Sequence, residues 1–368
     1  MVSPQFPPIF QLDNNMPKPQ DVLARALCEI GLDEQARLEM TSLLKSWEAR
    51  HQGIGRDLRE EVSAHVVDAL YGDVGEVTKT LKSGVKFTLP YRSKIAREYA
   101  LSEPQPDHVW EPQTTRTLLE LANSARQVII GGAYAGDHAV LMAHKMASAG
   151  GHVHCFEPND EQRTALSANA GANGLSNLDV RAEGLWDSKT FLRFEGDDSH
   201  ARTFEVDAGV DQGIPTVTID GYCAEKGISQ LDLIVLDIEG GEVKALEGAA
   251  QQLAKPAGAC PDIVFEIHGA YTDWSNGLEQ TDVLRLVLDA GYTAFAIRDY
   301  QGNAALTDAP LELVPTDDAY LEGPPHGFNL IATKRPDLAA DIGAKVRRGV
   351  SPKILHHRDP ALHQPIID

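Results

Sequence analysis

From Thr114 onward, short apolar runs alternate with amphipathic helical segments, and this alternation limits the possible folds of the chain more than any other feature. Runs such as Val128–Ile130 and Leu231–Leu236 lack the polar–apolar alternation of a half-exposed strand. Unbroken apolar strands separated by helices are typical of a parallel sheet covered on both faces. The pattern therefore predicts a doubly wound α/β fold.

Other segments flank this alternating part. A proline-rich arm and the amphipathic stretch from Asp21 to about Leu81 predict a helical N-terminal segment. We expect boundaries that give an N-terminal arm and helical segment at 1–108, an α/β domain at 109–334 and a C-terminal tail at 335–368. Within the domain, the acidic run 195–211 is expected to be a solvated loop or an edge hairpin.

Charge and composition limit the partners. The 33 basic and 54 acidic residues give a formal net charge of −21, which repels nucleic acid and anionic membranes. No apolar stretch is long enough to span a membrane, and the first residues do not resemble a secretion signal. We therefore expect a cytoplasmic protein that binds a small molecule rather than nucleic acid or a membrane. Its oligomeric state is left open.

A glycine-rich turn follows the first strand of the alternating part. Val128–Ile130 precede Gly131–Gly136, and Glu157 ends the next strand 21 residues beyond Gly136. Glycine allows backbone to approach a ligand closely, and an acid at the next strand end can accept hydrogen bonds from ribose hydroxyls. The pair predicts a nucleoside site. It does not distinguish a dinucleotide from S-adenosylmethionine.

Two later strands end in polar residues. The run LDLIVLDIEGGE brings Asp237 to a strand end, and DIVFEIHG carries Glu266 and His268 on one strand face. Ligands bind at the carboxyl ends of strands in such folds. We expect both strand ends to reach the same cleft.

These motifs, in this order, resemble the FkbM family of S-adenosylmethionine-dependent methyltransferases. The matching pieces are VWEPQTTRTLLEL, GGAYAG, CFEPNDEQRTALSANAGANGLSNL, PTVTIDGYCAEKGISQLDLIVLDIEGGEVKALEGA and IVFEIHG, from about 109 to 269. The resemblance implies a Rossmann-like class I methyltransferase sheet, mostly parallel with one antiparallel strand. It implies S-adenosyl-L-methionine as cofactor, with its ribose on Glu157 and its adenine near Pro158 and 183–187. The implied cofactor-binding residues are Gly132, Ala133, Tyr134, Gly136, Glu157, Pro158, Glu183, Leu185 and Asp237.

The chain departs from the family pattern at the turn. The family commonly has Asp-x-Gly-Ala-Asn-x-Gly, whereas Ile130 and Tyr134 stand at the acidic and asparagine positions here. The ammonium group of the methionine moiety thereby loses its usual counter-charge. Asp237, Glu111 or another carboxylate is expected to compensate.

Methyl transfer to a hydroxyl requires a group that takes its proton. His268 is the first choice for this base, because the ordinary pKa of histidine lies near neutrality, and Asp237 is the second. A hydrogen-bonded structural histidine and a helix-capping aspartate are the alternatives. Asp237, Glu266 and His268 together also suit a divalent cation, Mg²⁺ or Mn²⁺.

The sequence thus predicts an S-adenosylmethionine-dependent methyltransferase that O-methylates a hydroxyl of a small or glycosylated metabolite. An NAD(P)-dependent oxidoreductase is an alternative, supported by the relaxed glycine pattern at 131–136 and by Glu157. That reading lacks a Tyr-x-x-x-Lys pair and leaves LDIEGGE unexplained. A non-catalytic, methyltransferase-like scaffold is the other alternative, because the acid before the turn is missing.

Overall fold

The computed structural model describes residues 19–51, 57–195, 202–206, 213–300, 304, 309–321, 327–354 and 359–367. The chain divides into two compact units. The first is Met1–Val77 with Pro90–Leu101, and the second is Thr78–Leu89 with Ser102–Asp368.

The first unit is mainly helical. Its helices are α1 (Pro19–Gly31), α2 (Glu34–Arg50), α3 (Ala64–Tyr71) and α4 (Lys94–Leu101). The side chain of Asp33 caps α2 by accepting from the amides of Gln35 and Ala36. Arg59 joins α2 to α4 through ion pairs of 2.6 Å with Glu48 and 2.9 Å with Glu98.

The predicted helical segment ends earlier than expected. Helix α3 stops at Tyr71, and Gly75 has a left-handed φ of 75°. The strands β1 (Glu76–Thr80) and β2 (Lys86–Pro90) then form a two-stranded sheet. The helical prediction for 76–81 was wrong because the β-branched alternation of EVTKT determines this stretch.

The second unit contains the predicted α/β domain. Its strands are β3 (Gln127–Gly131), β4 (His152–Phe156), β5 (Leu178–Arg181), β6 (Gly184–Leu185), β7 (Phe191–Glu195), β8 (Arg202–Val206), β9 (Ile214–Val217), β10 (Leu233–Leu236), β11 (Asp262–His268), β12 (Thr293–Ile297), β13 (Leu311–Pro315), β14 (Gly327–Thr333) and β15 (Ala344–Val346). Its helices are α5 (Pro112–Leu121), α6 (Ala139–Met146), α7 (Asp160–Ala172), α8 (Ile219–Lys226), α9 (Glu242–Glu247), α10 (Ala250–Leu253), α11 (Asp282–Asp289) and α12 (Leu338–Asp341).

Nine of these strands form one mixed sheet in the order β15-β13-β12-β14-β11-β10-β3-β4-β5. Neighbours from β11 to β5 pair in parallel, and β14 runs antiparallel between β11 and β12. The predicted mostly parallel sheet with an antiparallel strand is confirmed. Strands β13 and β15 also run against the main direction, which the sequence did not indicate.

A smaller sheet contains β6, β9, β7 and β8. Strands β7 and β8 pair antiparallel, with Phe191 opposite Val206 and Glu195 opposite Arg202. The described part of the acidic run 195–211 therefore belongs to a hairpin, one of the two predicted forms. The rest of that run lies outside the described residues.

The core lies between the main sheet and its helices. Strand β10 is fully buried, and it shares an apolar cluster with residues of β11, α9 and α11 such as Phe265, Leu246 and Leu284. Because β3, β4, β10, β11 and β12 all point the same way, their carboxyl ends meet at one edge of the sheet. Within the described residues, no helix is long and apolar enough to cross a membrane.

Candidate active site

The turn after β3 passes very close to the loop after β10. A Cβ atom on Gly132 would lie 1.7 Å from the carbonyl oxygen of Asp237, and Gly132 has a left-handed φ of 73°. Only glycine fits such a position. Ala133 is buried, and Gly136 packs against Leu166 of α7. The predicted turn thus brings backbone and the Asp237 strand end together at the expected edge.

Glu157, at the end of β4, fixes the conformation of this turn. Its two carboxylate oxygens accept from the amides of Tyr134 and Asn159, each at 2.9 Å. Tyr134 has a φ of 46°, which is unusual for a residue with a side chain. Burial raises the pKa of Glu157 against the lowering effect of the two amides. Glu157 therefore stands beside the turn at the carboxyl end of β4, where a ribose is expected.

The residues implied for adenine contacts follow β4 and β5. Pro158 is half-buried after Glu157, and Glu183 forms an ion pair with Arg181. Although burial opposes it, the bond from Arg181 lowers the pKa of Glu183. Leu185 is buried, and it lies 2.9 Å from the Cβ position of Gly131. Leu185 thus supports the turn from the core side.

Asp237 is exposed to solvent, but many protein atoms lie around its carboxyl group and desolvate it. Desolvation by these surroundings, and then the charge of Glu111, raises its pKa well above the ordinary value, with further contributions from Glu239 and Glu242. Glu242 is itself buried, with its pKa raised to about 7, and it accepts from the amide of Ile238 at 3.0 Å. Asp237 therefore lies in a cleft with an excess of acidic groups.

Three residues next to the turn belong to this acidic cleft. Glu111 precedes α5, and Asp137 and His138 follow Gly136. Nε2 of His138 lies 3.9 Å from carboxylate oxygens of both Glu111 and Asp137. From the sequence, Glu111 is expected only as a possible counter-charge, and no motif singles out Asp137 or His138. Their signal was local: each adjoins a recognised motif.

Glu266 and His268 lie side by side at the end of β11, as their spacing predicts. A Cβ atom on Gly327 of β14 would lie 1.8 Å from Oε1 of Glu266 and 2.9 Å from Cδ2 of His268. Both side chains therefore pack closely against this glycine. Burial and the nearby Asp237 and Glu111 strongly raise the pKa of Glu266. The carboxyl group of Glu266 therefore favours its neutral form.

The ring of His268 has a defined orientation. Its Nδ1 accepts from the backbone amide of Ala270 at 3.0 Å, so the neutral ring carries its proton on Nε2. Burial, and then the charge of Lys353, lowers the pKa of His268. The neutral ring is thus a hydrogen-bond donor at Nε2, and the lone pair that a base would use is already engaged.

Lys353 also lies near His268, although no sequence motif surrounds it in the tail. The side chain is buried, and Nζ has no hydrogen-bond partner among the described residues. Its backbone bridges to Asp299, just after β12, at the same sheet edge as His268. Burial lowers the pKa of Lys353 to about 8.

The structure does not support the predicted divalent cation. Asp237, Glu266 and His268 do not bring their ligand atoms within 4.8 Å of one another. The one described group that meets this distance is His152, His154 and Asp179. His154 already bonds Tyr222 at 3.0 Å and Gln127 at 2.9 Å, as a core histidine does.

Strand order and site together define the class of protein. The order β5-β4-β3-β10-β11-β14-β12, with β14 antiparallel and a glycine turn after β3, is that of a Rossmann-like methyltransferase domain. Residues 131–294 match the family model described as methyltransferase FkbM domain. The match confirms the predicted family resemblance for this part of the chain.

Solved structures with similar folds include three methyltransferases. Methyltransferase FkbM from Methylobacillus flagellatus KT is 13% identical with a TM-score of 0.34, and the match covers 82% of this chain and 60% of that chain. The O-methyltransferase TomG from Streptomyces achromogenes, in complex with SAM, is 13% identical with a TM-score of 0.34, over 61% and 79%. Precorrin-6y C5,15-methyltransferase from Geobacter metallireducens GS-15 is 13% identical with a TM-score of 0.33, over 60% and 89%. No curated protein matches the sequence significantly.

Proposed function

We propose that the chain is an S-adenosylmethionine-dependent methyltransferase that acts on a hydroxyl of a small or glycosylated metabolite. The observation that carries this proposal is the contact-distance crossing of Gly132 and Asp237 beside Glu157, whose carboxylate fixes the turn. Such a glycine cradle accommodates a nucleoside, and the surrounding carboxylates suit a ligand with positive charges. The residues present therefore fit S-adenosylmethionine.

Each part of this site has a binding role in the proposal. The turn 132–136 forms the floor, Glu157 accepts from the ribose hydroxyls, and Pro158 and Glu183 flank the adenine. When bound, S-adenosylmethionine supplies a methyl group on a positively charged sulfur. The acidic cleft around Asp237 favours that charge.

Asp237 is the proposed base for the acceptor hydroxyl. It is open to solvent in the cleft, and its raised pKa makes it a stronger base than an ordinary aspartate. His268 would donate from Nε2 to an acceptor oxygen and orient the hydroxyl, because its Nδ1 is engaged by Ala270. This assignment reverses the order of preference that the sequence suggested for the two residues.

Net charge supports a small acceptor. A chain with a formal charge of −21 repels nucleic acid and anionic lipid surfaces over most of its exterior. We therefore propose a cytoplasmic enzyme with a small-molecule acceptor. The alternative, an NAD(P)-dependent oxidoreductase, is less well supported. The sheet order with the antiparallel β14 and the acidic cleft both favour the methyltransferase.

Titration calorimetry with S-adenosylhomocysteine and NAD⁺ tests the cofactor. The protein is expected to bind the adenosyl compound and not NAD⁺; the reverse result would indicate the oxidoreductase, and binding of neither would indicate a scaffold. Incubating a metabolite extract with methyl-labelled S-adenosylmethionine and analysing it by mass spectrometry then identifies the acceptor.

The two catalytic roles are tested with Asp237→Asn and His268→Gln. Once an acceptor is known, Asp237→Asn is expected to lower turnover at least ~100-fold, the usual contribution of a general base. His268→Gln keeps a hydrogen-bond donor and should retain more activity than His268→Ala. A larger loss in His268→Gln than in Asp237→Asn would restore His268 as the base.

A further inference from the structure

Ile130, at the position where the family commonly has an acidic residue, is buried in the core. Ile130 is 3% exposed and lies in β3 between Cys155 of β4 and Val235 of β10. Ile130 is therefore core and offers no charge to the amino group of a methionine moiety. The counter-charge must come from another part of the chain.

The cluster of Glu111, Asp137 and His138 supplies charge next to the same turn. Nε2 of His138 lies 3.9 Å from Glu111 and 3.9 Å from Asp137, which is ion-pair distance but too long for a good hydrogen bond. Glu111 and Asp137 are 8% and 7% exposed. Both carboxylates are thus nearly withdrawn from water, and both are close enough to Asp237 to raise its pKa.

Glu111 is held there in a strained conformation. Its φ of 43° and ψ of 77° are left-handed, and the next residue is a proline, which disfavours helical-type backbone before it. Such strain costs about 1–3 kcal/mol and persists where the surroundings enforce it. Asn329 donates to Oε2 of Glu111 at 2.6 Å, and Asp299 accepts from the first amides of α5, those of Gln113 and Thr114. The left-handed backbone and the bond from Asn329 therefore fix the position of the Glu111 carboxylate.

The hydrogen bonds of His138 assign its protons. Thr115 donates its hydroxyl hydrogen to the carbonyl of Trp110 at 2.8 Å. Its oxygen, 3.1 Å from Nδ1 of His138, is then an acceptor, so Nδ1 carries a proton. Burial opposes a charged ring, but Asp137 and Glu111 outweigh it and raise the pKa of His138 to about 9. His138 thus favours the charged imidazolium form, with Nε2 facing the carboxylates of Glu111 and Asp137.

The charges in this region do not balance within the protein. One imidazolium faces three carboxyl groups, those of Glu111, Asp137 and Asp237, and the pKa values of both aspartates are raised, first by burial. Ionising all three carboxyl groups in a desolvated site is unfavourable, and a bound cation would favour their ionised forms. A free amino acid end carries an ammonium and a carboxylate, which match a carboxylate and an imidazolium respectively.

We propose that Glu111 and His138 bind the amino-acid end of S-adenosylmethionine, with Glu111 accepting from its ammonium group and Nε2 of His138 donating to its carboxylate. Asp137 holds His138 in place. The inference rests on the proposed function and goes beyond it, because it assigns the lost acidic role of position 130 to residues on another segment. In this proposal, Glu111 supplies the negative charge that the family commonly places at position 130.

Calorimetry with two ligands isolates this contact. S-adenosylhomocysteine carries the amino-acid end, and 5′-methylthioadenosine has the same nucleoside and sulfur without it. Glu111→Gln is expected to weaken S-adenosylhomocysteine at least tenfold and to change 5′-methylthioadenosine less than twofold. Asp179→Asn, a half-exposed carboxylate on β5, removes the same charge outside the site and should change neither.

The outcomes separate this inference from the proposed function. A wild-type protein that binds neither adenosyl compound would overturn both. Normal binding of the two compounds by wild type, with Glu111→Gln weakening both equally or neither, would overturn the inference alone.

A measurement on the wild-type protein tests the same contact without a variant that could misfold. Because an ammonium group favours ionisation of the raised-pKa aspartates, binding of S-adenosylhomocysteine should release protons. Calorimetry in buffers of different ionisation enthalpy detects this release. Equal proton exchange for the two ligands would contradict the proposed contact.

Discussion

Gly132 and Asp237 cross so closely that the carbonyl oxygen of Asp237 occupies the space of a side chain at position 132. A Cβ atom there would lie 1.7 Å from that oxygen. Gly132→Ala must therefore separate the β3 turn from the β10 loop. We expect loss of adenosyl-ligand binding and a stability loss of a few kcal/mol, measured by calorimetry and by urea unfolding.

Gly174 offers a matched control for this substitution. It also has a left-handed φ, 62°, but no atom lies within 4 Å of its Cβ position. Gly174→Ala should lower stability by about 1 kcal/mol and leave binding unchanged. If the two variants bind equally well, the close crossing does not shape the ligand site.

Glu157→Gln should weaken every adenosyl ligand. A glutamine has one acceptor oxygen, so one of the amides of Tyr134 and Asn159 loses its partner and the left-handed turn relaxes. Unlike Glu111→Gln, this change is expected to weaken S-adenosylhomocysteine and 5′-methylthioadenosine alike, by about tenfold or more. A selective effect on one of them would argue against a ribose contact at Glu157.

Sequence reasoning succeeded where local pattern decides structure. The glycine turn, Glu157 and the end of β10 were predicted because strand periodicity and glycine content locate them within one short segment each. The antiparallel β14 was expected from the family resemblance, whereas for the run 195–211 the sequence left a solvated loop and an edge hairpin open.

Asp137 and His138 adjoin a recognised motif, but other features that sequence reasoning missed depend on long-range contacts. Lys353 reaches the edge near His268 only because its strand-like segment bridges Asp299, and no local pattern indicates that pairing. The tautomer of His268 is set by the amide of Ala270, a contact that requires atomic positions. Strand β15, whose three residues include one lysine, is too short and polar to be recognised from periodicity.

Lys353→Met should raise the pKa of His268. Lys353 is itself protonated below its own pKa of about 8, so it is positively charged wherever His268 titrates. Its charge disfavours the imidazolium, and removing it moves the pKa of His268 upward, toward the ordinary value of about 6.5. NMR titration of the ring checks this.

Two variants control for this pKa change. Lys353→Arg keeps the charge and should leave the low pKa of His268 in place. Lys334→Met removes a lysine bound to the carbonyls of Leu253 and Lys255 and should have no effect on His268. An unchanged His268 titration in Lys353→Met would mean that burial accounts for the shift.

Arg298→Met should be strongly destabilising. Arg298 and Glu312 are both fully buried and paired, and Arg298 also donates to the carbonyls of Leu362 and Gln364. Removing one partner of a buried ion pair costs about 3–5 kcal/mol. Arg285→Met, which breaks an exposed pair with Asp282, should cost less than ~0.5 kcal/mol in the same urea unfolding experiment. Similar losses in both would contradict a structural role for the buried pair.

Because Glu111 has a left-handed backbone conformation, a substitution there can raise thermal stability and weaken the proposed cofactor contact together. Glycine adopts this conformation without strain, and Asn329 would keep its contact with Thr114 at 3.2 Å. Glu111→Gly is therefore expected to raise Tm while weakening S-adenosylhomocysteine. If Glu111 binds the cofactor as proposed, a laboratory selection for heat resistance would favour substitutions at residue 111 that weaken this binding.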